Sequence, residues 1–289
     1  MLARKMWQLL EPIHGLVYFS PEARSRFDAE GLKGFWMGYF ASRAAALGPV
    51  GPELVEATFY VFHPAMVARA LPDAWQFSTP EAVLAARYEA AELALQTALG
   101  HLADGEEIAT AARLATPIAQ AVPRAGHPLG AAHVAAPLPE EHNPLGRLWW
   151  AATVLREHRF DGHVAALVGA DVDACGSLVL AAATGALGPD GATMLRTARK
   201  WPEDEWAEAA DRLAARGWLD QEGGITEEGR AGHTAIEDAT DRAADSAYAS
   251  VDAADLDALV RALEPVVARI AVTGTFPVPN PIGITPKAQ

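Results

Sequence analysis

The sequence predicts a mainly α-helical protein of two related units in tandem, each ending in short β-strands, and three observations carry that prediction. The first is an internal echo: Ala-Leu-Gly-Pro-Val-Gly at residues 46–51 returns as Ala-Leu-Gly-Pro-Asp-Gly at 186–191, a shift of 140 residues. The second is that the surroundings of the two hexapeptides correspond in order. Each follows an Ala-rich helical stretch (41–46 and 180–186), precedes a helix candidate and then a segment opened by Pro64 or Pro202, and ends in Trp75 or Trp218. Weaker echoes pair Arg26-Phe27-Asp28 with Arg159-Phe160-Asp161, and a helix near Trp7 with one near Trp149. The third is size and composition: 289 residues, 51% hydrophobic and 21% charged, suffice for two ordinary domains with a real core. The boundaries expected are a first unit over 1–121, a Pro-rich connector over 122–144, and a second unit over 145–289 with a C-terminal helix and tail.

The second copy is the more legible. Trp201-Pro202-Glu203 opens a helix, and Trp206, Ala210, Leu213 and Ala214 form its apolar stripe up to Gly217. Trp218-Leu219-Asp220 then reads as a short strand, Gln221 to Gly224 as a turn, and Ile225-Thr226 as the return strand. Thr226 followed by Glu227 and Glu228 starts the next helix, where an acidic first turn suits the helix dipole. Helix, strand, Gly-Gly turn, strand, helix is a winged-helix ending, so the fold expected is two winged-helix-like units with short β-wings.

These segments resemble a bacterial family of SalK-like helix-turn-helix proteins in which a winged-helix unit appears twice. The resemblance runs through Met6-Trp7-Gln8-Leu9-Leu10-Glu11-Pro12-Ile13-His14, Tyr18-Phe19-Ser20-Pro21-Glu22, His63-Pro64-Ala65-Met66-Val67, residues 155–163 and the tail Pro279-Asn280-Pro281-Ile282-Gly283. Phe160 departs from the Gly that the family pattern would place there. The resemblance implies a fold and brings no activity with it.

Charge argues against the common use of that fold. The net charge is −14, and residues 201–260 alone hold 16 acidic and 4 basic side chains. The helix that would enter a major groove, about 203–216, carries Glu203, Asp204, Glu205, Glu208 and Asp211 against Arg212 and Arg216. Its first turn would meet phosphates with three carboxylates. The matching segment of the first copy, residues 64–71, is apolar and offers only Arg69. A fold does not fix a function, and binding of a small, partly apolar ligand between the units is the expected role. A DNA-binding regulator is the alternative, and a His- or metal-dependent enzyme the second alternative.

The histidines supply the candidate site. His158, Asp161 and His163 have an H-x2-D-x-H spacing that could ligate a metal if the chain turned at Gly162. A group of capping residues at a helix C-terminus is the plainer reading, and no metal is assigned. His14 and His63 each have aromatic neighbours, and Tyr18 and Trp36 belong to a dense aromatic region. His14, Tyr18, Trp36, His63, His158, Asp161 and His163 are therefore expected to line one ligand-binding cavity between the units.

Other machineries are absent from the sequence: no phosphate loop, dinucleotide-binding fingerprint, H-E-x-x-H or nucleophile elbow occurs. The single cysteine, Cys175, excludes an internal disulfide and reads as structural. No catalytic residue or cofactor is identifiable. With no long apolar run, the expected setting is cytoplasmic, without a membrane. A small-molecule ligand is the expected partner, nucleic acid is disfavoured, and a homodimer is compatible with the sequence.

Overall fold

Capping residues and prolines set where the helices start. Ser20, Thr79, Asn143, Asp173 and Thr226 each accept a hydrogen bond from a backbone N–H in the first turn that follows. Pro21, Pro52, Pro64, Pro80, Pro128 and Pro144 stand at first helical positions, where a missing N–H costs nothing. In the computed structural model, which describes residues 2–282, this yields α1 (Leu2–Gly15), α2 (Pro21–Ala29), α3 (Gly34–Ala44), α4 (Pro52–Phe59) and α5 (Pro64–Ala68). Then come α6 (Pro80–Leu99), α7 (Glu106–Ala121), α8 (Pro128–Ala135) and α9 (Pro144–Gly169). The chain continues through α10 (Ala174–Ala183), α11 (Gly191–Arg199), α12 (Glu203–Ala215), α13 (Glu227–Asp245) and α14 (Ala253–Ala271).

Helix α9 is the axis of the molecule. Its apolar residues point to every side rather than one, as in a helix enclosed by others. Leu148, Trp149, Trp150, Ala151, Ala152 and Val154 are all essentially inaccessible. Around it pack α1, α6, α7, α8 and α13, and α14 closes the outside against α1 and α7. Two glycines allow close approaches of neighbouring helices to α9. A Cβ on Gly162 would stand 2.8 Å from the Cβ of Ala243 on α13, and one on Gly130 of α8 would stand 3.0 Å from the His158 Cα. The stretch 122–144 thus contains a helix, α8, laid on α9. Helix α9 runs on to Gly169 past Gly162, leaving Arg156, His158 and Arg159 in mid-helix rather than at a C-terminus.

A smaller core joins the end of α9 to α10, α12 and α13 through Leu167, Val172, Val179, Leu213, Trp218 and Ile236. On α12 the buried positions are Ala209 and Leu213, with Trp206 and Ala210 partly covered and Ala214 exposed.

The expected β-wings do not form, and with them the winged-helix description falls. Among the described residues there is no strand, only one isolated antiparallel bridge, Leu219 to Ile225. Mainly α is the correct class. The physical reason lies in the arms. Asp220 folds its carboxylate over the turn, accepting from the Glu222 and Gly224 amides at 3.0 and 2.7 Å, while Thr226 already caps α13. That leaves room for one pair and no third strand, and such a ribbon cannot stand as a sheet. In the first half, Trp75 lies in a 3-10 turn and α6 begins at Pro80, so no hairpin arises there either.

Some features do recur at the 140-residue shift. Left-handed backbone occurs at Gly31 and Asp171, at Gly48 and Gly188, and at Tyr60 and Lys200. Leu32 N–H donates to Phe27 O at 3.1 Å, and Val172 N–H to Leu167 O at 3.0 Å. The starts of α3 and α10, and the ends of α4 and α11, keep the same offset.

Candidate functional site

Four arginines face one cavity of about 210 Å³. Helical spacing places the groups on its wall: Trp7 and Glu11 on α1 and Tyr39 and Arg43 on α3 are four apart, and Arg156, Arg159, Phe160 and His163 share a face of α9. Arg199 enters from the end of α11, Glu237 from α13, and Val61 and Phe62 from the link between α4 and α5. Pro281 and Ile282 of the tail close it.

Most of this charge is internally matched. Glu157, fully buried, receives both Nε and Nη2 of Arg43 at 2.8 Å and Nη1 of Arg156 at 2.8 Å. Arg156 also reaches Glu11 at 3.1 Å. Arg159 pairs with buried Asp241 at 2.8 Å, and Asp241 takes Arg4 at 2.7 Å on its other oxygen. Burial works to raise the Glu157 carboxyl, but Arg156 and Arg43 outweigh it and hold it well below the usual carboxylate range. Aromatic faces cover the cations: Arg43 lies 4.1 Å from the Phe59 centroid, Arg156 4.8 Å from Phe160 and Arg159 4.9 Å from Trp7.

Arg199 differs. It is 94% buried by its 6% exposure, stacks 4.3 Å from the Phe62 centroid, and donates Nη2 to the Pro281 carbonyl at 3.0 Å. Its Nε has no partner, and among the described residues no carboxylate pairs with it. Burial, and the charges of Arg43 and Arg156, push it down to about 10.

The expected site residues occupy several places. His163 is on the cavity wall, bonding Thr240 Oγ1 at 2.9 Å with Glu237 at 3.7 Å. His14 is enclosed between Thr153 and Tyr18, at 3.0 and 2.9 Å. Burial, with Arg156 next, holds it well below the ordinary imidazole value, so it is neutral. Tyr18 accepts Arg87 Nη2 at 2.9 Å and shares its hydroxyl with His14 Nε2. Tyr18 also lines a second cavity of about 240 Å³ with Phe19, Phe27 and Phe35, and Tyr39 borders both cavities. Trp36 packs within the cluster of Tyr39, Phe40 and Phe62. His63 caps α5 and bonds Glu205 at 3.2 Å. His158 stacks on His127 at 3.8 Å between centroids, and Asp161 accepts the Gly130 N–H at 2.9 Å, both on the α8 side of α9. Burial is the main reason the Asp161 carboxyl rises to about 7. His158, Asp161 and His163 therefore diverge, and among the described residues no group of three or more His, Cys, Asp or Glu could hold a metal ion.

The arginines were the signal the sequence reading passed over. Arg43 is the only charged residue of α3, and Arg156-Glu157 interrupts the apolar run 148–155. A charge placed among residues that can only be core is itself a marker.

An all-helical frame encloses a cation-rich, aromatic-walled chamber lined by residues from 7 to 62 and from 156 to 282. The chain belongs to the Helix-turn-helix family, whose model matches residues 3–277. No curated protein and no solved structure matches it. No single helix among the described residues is long and apolar enough to cross a membrane.

Proposed function

We propose that the protein binds a small, partly apolar molecule in the cavity between its two halves, and that these halves arose by internal duplication. The observation that carries the first part is the chamber itself. A space of about 210 Å³, walled by Tyr39, Phe62, Phe160 and Trp7 and studded with oriented polar groups, has the make-up of a small-molecule site. The shared left-handed positions 140 residues apart support the second part. Within the family, the motifs quoted above favour the SalK-like branch.

The family match favours a second reading, a DNA-binding regulator. Against it stands α12. Arg212 is tied to Asp173 at 2.9 Å, and Arg216 donates to the Ala170 carbonyl at 2.7 Å while lying over Trp218. Its remaining exposed charges are Glu203, Asp204, Glu208 and Asp211. A helix so equipped repels phosphate.

A screen of small organic acids, alcohols and amines by ligand-observed NMR, run beside a Leu178→Trp variant that fills the cavity from Leu178 of α10 on its wall, tests the proposal. Compounds that bind the wild type and are lost in the filled variant support it. Binding that survives the filling, or tight sequence-specific retardation of duplex DNA at physiological salt, contradicts it.

A further inference from the structure

Arg43, Arg156 and Arg159 each meet a buried carboxylate, so their desolvation is offset within the protein. Arg199 has only a carbonyl and a ring, with Nε left unpartnered. A buried cation without a counter-ion is unfavourable unless something else supplies the charge. From this geometry, resting on the ligand reading above, we propose that Arg199 is the anchor for a carboxylate, and that the ligand is a small monocarboxylic acid with an apolar, ring-sized body.

Three features select that class. The guanidinium fork matches a carboxylate through Nε and Nη2, the pairing Arg43 already makes with Glu157. Nε is closed off in this structure and Nη2 is held by the Pro281 carbonyl, so a ligand carboxylate takes that edge only by displacing Pro281. Glu11 and Glu237 also line the chamber, so a dianion such as phosphate meets stronger like-charge repulsion there than a single carboxylate does, and has no apolar remainder to set against the aromatic wall. Finally, a protein cavity of about 150 Å³ accommodates benzene, so this one has room for a ring and its acid group between Phe62, Tyr39 and Phe160.

Isothermal titration with benzoate, benzyl alcohol and inorganic phosphate, on wild type, Arg199→Gln and Arg199→Lys, tests the inference. Benzoate is expected to bind the wild type about 10- to 100-fold more tightly than benzyl alcohol. Arg199→Gln should reduce benzoate to the level of the alcohol, and Arg199→Lys should fall between. Equal binding of benzoate and benzyl alcohol to the wild type overturns the carboxylate anchor while leaving the ligand cavity standing. Preference for phosphate overturns the anchor's selectivity, and no binding by either ring compound overturns both readings. The wild-type ratio alone decides the matter if Arg199→Gln fails to fold.

Discussion

Glu157 holds two buried guanidiniums at once, so its loss would strand both. Glu157→Ala should cost about 3–5 kcal/mol of folding stability, measured by urea unfolding, and a change under 1 kcal/mol would show that the cluster is not desolvated as described. The same scale governs acid behaviour. Burial holds His14 well below the ordinary imidazole value, and holds His158 and His133, a buried residue of α8, at about 4. Their stabilising contribution is complete above the unfolded value of about 6.5 and disappears as pH falls through the folded values. Asp161, raised to about 7, has the opposite sign: its contribution is complete below about 4 and is lost as pH rises through 7. Unfolding free energy should therefore fall from pH 7 to pH 4.5, and fall more steeply in Asp161→Asn. A shallower fall in that variant would mean the sign at Asp161 is reversed.

Between elements, α9 crosses α13 closely at Gly162. Gly162→Ala should destabilise although it favours helix formation by about 1 kcal/mol, because its Cβ must displace Ala243. Gly169→Ala, where nothing lies within 4 Å, should be neutral or stabilising, and chemical denaturation of both variants provides the comparison. This scale also shows where the sequence was readable. Pro202, Thr226 and the stripe through Leu213 foretold α12 and the start of α13, because caps and periodicity are local. The missing wing was not readable from Trp218 to Thr226, since a strand needs a partner long enough to pair with, and the turn at Asp220 ends the arms after one bridge. The need for a small residue at Gly162 was equally unreadable, because it is set by Ala243, a residue of another helix.

For the molecule as a whole, the large core draws α1, α6 and α7 together with α9 and α14. Residues 1–121 alone should consequently show no cooperative thermal transition by circular dichroism; a sharp transition would establish the first half as an independent domain. Little of the cavity was legible at this level. His163 was singled out by its spacing, whereas Arg43, Arg156, Arg159 and Arg199 converge only once the three helices α3, α9 and α11 have packed, and no sequence separation announces that meeting.

The tryptophan indole N–H resonances offer the most direct view of where function resides, because Trp7 lines the cavity and Trp206 sits on α12. Titrated with benzoate and separately with duplex DNA, the Trp7 signal should move with the acid and the Trp206 signal should stay fixed with the duplex at physiological salt. A moving Trp206 with DNA beside an unmoved Trp7 with the acid would contradict the account.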